Sequence, residues 1–206
     1  MKTNLDRRNF LKKTTIAGLS LTLAPGIVFS RNASYRQSSV FIGFIGVGGH
    51  GHHLIEHALK VKDFTVKAIC DIKKENLERG LNMVKKATGQ RPNGYGEHEY
   101  IYLEMLEKED LDAVIIATPW RWHIPMAIDT MKSGAYAAVE AGAASTVKEC
   151  WDLVETAEST GLHNMLLENH CYDRWNMAIL NMIRKGVFGE LLHCHCGYEH
   201  DLRGRI

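Results

Sequence analysis

An α/β fold built on a doubly wound parallel sheet is what this sequence predicts, and three observations predict it. Short apolar runs rich in β-branched residues recur between residues 40 and 167, as strands buried on both faces require. Segments with apolar residues at helical spacing separate those runs. Gly134 and Gly161 close two of the helical segments immediately before the next apolar run, where a helix-ending glycine belongs.

The elements follow in order. Val40 to Ile45 is a buried strand that leads directly into Gly46-Val47-Gly48-Gly49-His50-Gly51. Leu54, Ile55, Ala58 and Leu59 then mark a helix, and Phe64 to Cys70 a second strand ending in Asp71. An amphipathic helix is expected over Lys74 to Thr88, a loop around Gln90 to Gly96, and a helix near Tyr100 to Glu107. Leu111 to Ala117 is the next strand, and Thr118-Pro119-Trp120-Arg121-Trp122-His123 follows it, with a helix running to Ser133. Ala135 to Val139 forms a strand ending at Glu140, Val147 to Thr160 a helix, and Leu162 to Leu167 a further strand. After a helix over Asp173 to Lys185 the pattern changes, and Leu191 to Tyr198 is expected as the first strand of a second sheet in a truncated α+β domain. The domain reading is therefore residues 38–170 for the parallel sheet and 171–206 for a connecting helix and the start of a substrate domain.

The glycine turn has the spacing G-x-G-x-x-G, opens a helix after a strand, and has an acid, Asp71, 20 residues beyond Gly51. That context identifies a Rossmann-type dinucleotide site. Gly46 permits the tight turn, Gly48 lets the backbone approach a pyrophosphate, and Gly51 allows the helix to pack on the strand. The helix amides then face the phosphates. Asp71 accepts from the adenosine ribose hydroxyls and repels a 2′-phosphate, which selects NAD over NADP, with Lys73 and Lys74 weakening that preference slightly. Ligands of such sheets bind beyond the carboxyl ends of the strands, so Gly46–Gly51, Asp71, Trp120–His123, Glu140–Gly142 and Asn169–Tyr172 should meet at one crevice.

Composition narrows the alternatives. The formal charge is +1 and basic residues alternate with acidic ones, which leaves no footprint for nucleic acid. Five cysteines, Cys70, Cys150, Cys171, Cys194 and Cys196, occur without a CxxC pair and are expected as buried thiols. His53-Leu54-Ile55-Glu56-His57 matches an inverted zinc-peptidase pattern but falls on the outer face of the first dinucleotide helix. His193-Cys194-His195-Cys196 alternates on the expected last strand, which splits histidines from cysteines, and a thiol pair facing the core is the reading there. No metal site is expected.

Residues 1–30 read as an export signal. Asp6-Arg7-Arg8-Asn9-Phe10-Leu11-Lys12 precedes a mildly apolar run from Thr14 to Phe29, broken by Pro25 and Gly26, and resembles a bacterial twin-arginine signal. The run is too short and too polar for a stable membrane anchor. Periplasmic localisation and the twin-arginine export machinery as a partner are the corresponding expectations.

Several segments resemble the Gfo/Idh/MocA superfamily of sugar-linked oxidoreductases, and more closely family 109 of the glycoside hydrolases. They are Ala117 to His123, Val139-Glu140-Ala141-Gly142, Leu167-Glu168-Asn169-His170-Cys171-Tyr172, Asn181 to Glu190, and Gly197 to Arg203. The resemblance implies NAD contacts from Gly49, His50, Asp71, Trp120, Arg121, Trp122, His123, Glu140, Ala141 and Asn169, and a sugar contact from Tyr198. Two departures stand out: Ala141 occupies the place where the superfamily's dehydrogenases carry a catalytic lysine, and His50 replaces an arginine usual in the glycosidase family.

The implied chemistry is glycoside cleavage by transient oxidation at carbon 3, elimination across carbons 1 and 2, water addition and re-reduction. NAD is used without net consumption, on a small-molecule glycoside, an α-linked N-acetylgalactosaminide by the resemblance. Retained NAD suits a protein exported folded, away from any nicotinamide pool. The catalytic acid and base are left unassigned, Tyr172 being one candidate. The alternatives are a periplasmic sugar oxidoreductase, which Ala141 disfavours, and a non-catalytic NAD-binding remnant, since the family's substrate domain is longer than the portion after residue 171.

Overall fold

The computed structural model describes residues 39–197 together with Asp201 and Arg203. The expected export signal, residues 1–30, and Tyr198 lie outside the described residues. Six parallel strands form one sheet: β1 (Val40–Ile45), β2 (Phe64–Cys70), β3 (Asn93–Tyr95), β4 (Ala113–Ile116), β5 (Tyr136–Val139) and β6 (Asn164–Leu166). Their spatial order is β3-β2-β1-β4-β5-β6. The chain winds outward from β1 to β3, then returns to the other side of β1 and winds outward again. The reversal opens a crevice between the carboxyl ends of β1 and β4.

Helices α1 (Gly49–Ala58) and α2 (Lys74–Thr88) supply apolar residues to one face of the sheet. Their Ile55, Ala58, Leu77, Leu81 and Val84 pack with Ile42, Phe44, Val66 and Ile69. Helices α3 (Ile101–Lys108) and α4 (His123–Ser133) cover the other face, where Met105, Leu106, Met126 and Met131 meet Ile45, Ala68, Val114, Ile116 and Val139. Helix α5 (Val147–Thr160) adds Leu153 and Ala157 at the margin of this second cluster. Neighbouring residues of β1 and β2, such as Phe44 and Ile45 or Ile69 and Cys70, fall into opposite clusters, so the strands are apolar on both faces.

Register is what aligns the crevice. Ile45 pairs with Cys70 and with Ile116, Ile116 with Val139, and Val139 with Leu166. The next residue of each strand continues the ladder: Gly46 N donates to Cys70 O at 2.8 Å, Ala117 N to Ile45 O at 2.9 Å, Glu140 N to Ile116 O at 3.0 Å, and Leu167 N to Val139 O at 2.8 Å. Gly46, Asp71, Ala117, Glu140 and Leu167 therefore leave the sheet at one level.

Three expectations are corrected. The stretch expected as a loop around Gln90–Gly96 contains β3, which pairs through Ala68 with Asn93 and through Cys70 with Tyr95. Residues 191–197 form no strand, because no described strand lies alongside to pair with them and an extended segment gains its hydrogen bonds only from a neighbour. The histidine and cysteine alternation there consequently faces no core. Cys194 and Cys196 are exposed, as are Cys150 and Cys171, and only Cys70 is buried. The expected helix over Asp173–Lys185 is present as α6 (Arg174–Arg184).

Candidate functional site

The glycine turn is shaped by contacts that leave no room for side chains. Gly46 adopts φ +82°, and a Cβ there would lie 2.8 Å from Ala117 O. A Cβ on Gly51 would lie 2.2 Å from Gly46 O, so the first turn of α1 sits directly on the strand exit. On the outer side the turn is open: a Cβ on Gly49 would meet nothing within 4 Å, and one on Gly48 only Asn76 Nδ2 at 3.8 Å. Gly48 caps α1 without a side-chain hydrogen bond, and no acid stands in the first turn. A bare helix N-terminus facing open space beside glycines fits a pyrophosphate.

Asp71, 8% exposed, closes the turn from the β2 side. Its Oδ2 accepts from Val47 N at 2.8 Å and from Asn76 Nδ2 at 3.4 Å, and its Oδ1 accepts from Lys73 N at 2.8 Å. These donors fix the carboxylate at the rim of a cavity of about 230 Å³ that runs from Gly46 and Gly48 past Lys73 to Pro119, Arg121 and Trp122. Beside it, burial and the Asp71 charge push the Cys70 thiol up to about 12, so this sulfur stays protonated at neutral pH and is no nucleophile.

The β4 exit turns sharply. Trp120–Trp122 forms a single 3₁₀ turn, and His123, 1% exposed, donates through Nε2 to Thr118 O at 2.6 Å. Its Nδ1 has no partner among the described residues. Trp120 is 69% exposed and packs over Gly142, where a Cβ would lie 2.8 Å from the indole Nε1. Arg121 Nη2 reaches Glu99 Oε1 at 3.1 Å.

A second cavity, of about 340 Å³, lies beyond the β5 and β6 ends, lined by His50, His57, Glu140, Glu168, Asn169 and Tyr172 among others. His50 Nε2 stands 3.0 Å from Glu140 Oε1 and ties the glycine turn to the β5 exit. Ala141 N donates to Glu140 Oε2 at 3.2 Å. Asn169 opens a 3₁₀ turn, His170–Tyr172. His170 Nδ1 lies 2.9 Å from Asp173 Oδ2, which raises the imidazole pKa above its ordinary value.

Eight of the predicted residues line two cavities at the carboxyl edge of the sheet, whereas Gly49, Gly51, Trp120, His123 and Ala141 line neither. Gly46, Gly48, Asp71, Arg121 and Trp122 line the first, and His50, Glu140 and Asn169 the second. Sequence reasoning missed Asn76 and Glu99, which line the first cavity. Asn76 lies one turn into α2, and Glu99 comes from an irregular segment, so neither carries a signal in spacing.

A family model described as the oxidoreductase family, NAD-binding Rossmann fold, matches residues 40–168. The chain belongs to the Gfo/Idh/MocA oxidoreductase family. NAD is the cofactor of this domain. A second model, the C-terminal domain of glycosyl hydrolase 109, matches residues 172–206 of this Gfo/Idh/MocA chain. The chain is 44% identical to an alpha-N-acetylgalactosaminidase from Tannerella forsythia, over 96% of its own length and 46% of that protein. It is 41% identical to a glycosyl hydrolase family 109 protein from Parabacteroides distasonis, over 96% of its length and 45% of the relative. The chain spans about half the length of these curated relatives.

Among solved structures, the myo-inositol 2-dehydrogenase of Lactobacillus plantarum aligns with a TM-score of 0.66 at 19% identity, over 75% of this chain and 43% of that one. The WlbA dehydrogenase of Bordetella pertussis, solved with NADH and UDP-GlcNAcA, aligns with a TM-score of 0.61 at 21% identity, over 73% and 43%. These likenesses establish the shared fold.

Proposed function

We propose that this chain is the NAD-binding portion of a glycosidase similar to alpha-N-acetylgalactosaminidase, acting by oxidation, elimination, water addition and re-reduction. The observation that carries the reading is Ala141 beside Glu140 at the crevice, in a chain 44% identical to a protein of that name. The superfamily's dehydrogenases carry a lysine at that position, and a methyl group cannot relay a proton to and from a hydroxyl. Bound NAD supplies a reversible hydride acceptor.

The residues have separable tasks. The open amides at Gly48, Gly49 and His50 hold the pyrophosphate, with Gly51 setting their distance from the strand. Asp71 holds the ribose hydroxyls and repels a 2′-phosphate. Trp120 to His123 bound the β4 side, while Glu140 and Asn169 line the second cavity, where the nicotinamide end and the sugar meet, and Ala141 follows Glu140 at the β5 exit. Tyr172 Oη and the Glu168 carboxylate are two of the proton-carrying groups of that cavity, beside His50, His57 and Glu140, and Tyr198 contacts the sugar. Arg7-Arg8 and the weakly apolar segment behind them support export to the periplasm through the twin-arginine machinery.

The test is hydrolysis, by the enzyme with its complete substrate domain, of an α-N-acetylgalactosaminide in deuterated water, beside a 3-O-methyl analogue. Deuterium at carbon 2 of the product and an inert analogue are expected. Cleavage of the 3-O-methyl analogue at the rate of the parent glycoside would sink the proposal, because that ether cannot give up a hydride and become a ketone.

A further inference from the structure

Glu97 is the one non-glycine residue among those described with a left-handed backbone, at φ +94°. It lies in the segment Gly96–Tyr100, exposed from Glu97 onward, which contributes nothing to either core cluster. A strained conformation persists only where its surroundings enforce it, and here both ends are pinned. At one end a Cβ on Gly96 would lie 3.3 Å from Asp71 O and 3.0 Å from Leu77 Cδ2. At the other, Tyr100 packs edge-on against Trp122 with ring centroids 5.4 Å apart at 81°. The segment therefore bridges the β2 exit and the β4 exit, the two sides of the first cavity.

Between those ends Glu99 Oε1 meets Arg121 Nη2 at 3.1 Å, with side chains 49% and 72% exposed. Both residues line the cavity, so this pair lies at its solvent side. An exposed ion pair adds little to fold stability. At the solvent side of a binding cavity the same pair acts instead on the passage of a ligand.

We propose that Gly96–Tyr100 is a strap over the adenosine end of the dinucleotide, with Glu99 the positioning residue that holds the Arg121 guanidinium across the cavity opening. The proposal rests on NAD occupying this crevice. It assigns retention of the cofactor to a segment outside the glycine turn. Desolvation by the seated adenosine strengthens the pair, and the anchored ends at Gly96 and Tyr100 hold Glu97 in the backbone arrangement that brings Glu99 to Arg121.

Release of NAD and of ADP-ribose, measured by displacement and followed by tryptophan fluorescence, tests this in the purified chain. Glu99→Gln should speed release of both about three- to tenfold, with the association rate and the melting temperature of the free chain unchanged. High salt should speed release from the unaltered chain and leave the variant nearly unaffected. Tyr100→Ala, which keeps every charge and frees the end of the segment that packs on Trp122, should also speed release. Unaltered release rates in both variants, with binding intact, would overturn the strap and leave NAD binding standing. Failure of the unaltered chain to bind either ligand would overturn the cofactor reading and the strap together.

Discussion

Two glycines of one turn separate what packing demands from what a ligand demands. Gly51 has Gly46 O where a Cβ would stand, at 2.2 Å, whereas Gly49 has only open space. Gly51→Ala forces backbone apart at the strand exit and should cost about 2–4 kcal/mol, read as a lower denaturant midpoint, with weaker NAD binding. Gly49→Ala should keep the fold or stabilise it by up to about 1 kcal/mol, since alanine favours the helix. Equal loss in the two variants would show that the close approach is not the reason for the motif. Asp71 adds a charge argument. Its carboxylate is already held by Val47 N and Lys73 N, so it is oriented before any ribose arrives. Calorimetry should show NAD preferred over NADP, and Asp71→Ala should narrow that preference; tighter NADP binding by the unaltered chain would contradict the electrostatic account.

Among the helices, α5 carries its own start signal. Thr146 Oγ1 accepts from Glu149 N at 3.2 Å while Glu149 Oε2 accepts from Thr146 N at 2.9 Å, a reciprocal capping box. Thr146→Ala should lower stability by about 1 kcal/mol and Thr146→Ser by much less, measured by urea unfolding. Signals of this local kind made the fold legible: α2 and α5 begin and end at the residues expected from their patterns, Lys74–Thr88 and Val147–Thr160. Elements that depend on distant partners were not legible. The three residues of β3 include Asn93 and Gly94, a turn-like pair, and become a strand only because β2 offers an unpaired edge. Residues 191–197 have strand-like alternation and no described neighbour, and remain without secondary structure. The candidate site follows the same division. The glycine turn and Asp71 are fixed by spacing within one strand-helix-strand unit, whereas Glu99 beside Arg121 and the His50–Glu140 contact arise when separate segments converge.

At the scale of the whole molecule, the chemistry proposed and the route proposed constrain each other. A glycosidase that ends each cycle with its NAD restored needs no nicotinamide pool, but it must never lose the cofactor it carries. The strap proposed across the first cavity slows release, and it requires a folded chain, as does the contact between His50 and Glu140 at the second. Export by the twin-arginine route delivers a folded protein, so loading and folding can precede translocation. Protein purified from the periplasm should therefore carry NAD without any having been added, detectable after acid release by an enzymatic cycling assay. Replacing Arg7 and Arg8 together by lysine should leave the protein, still loaded, in the cytoplasm. Periplasmic accumulation unaffected by that double substitution would remove the twin-arginine assignment. Periplasmic protein devoid of NAD would instead leave export standing and break its link to retained cofactor, because a chain that arrives empty has no supply from which to fill the crevice.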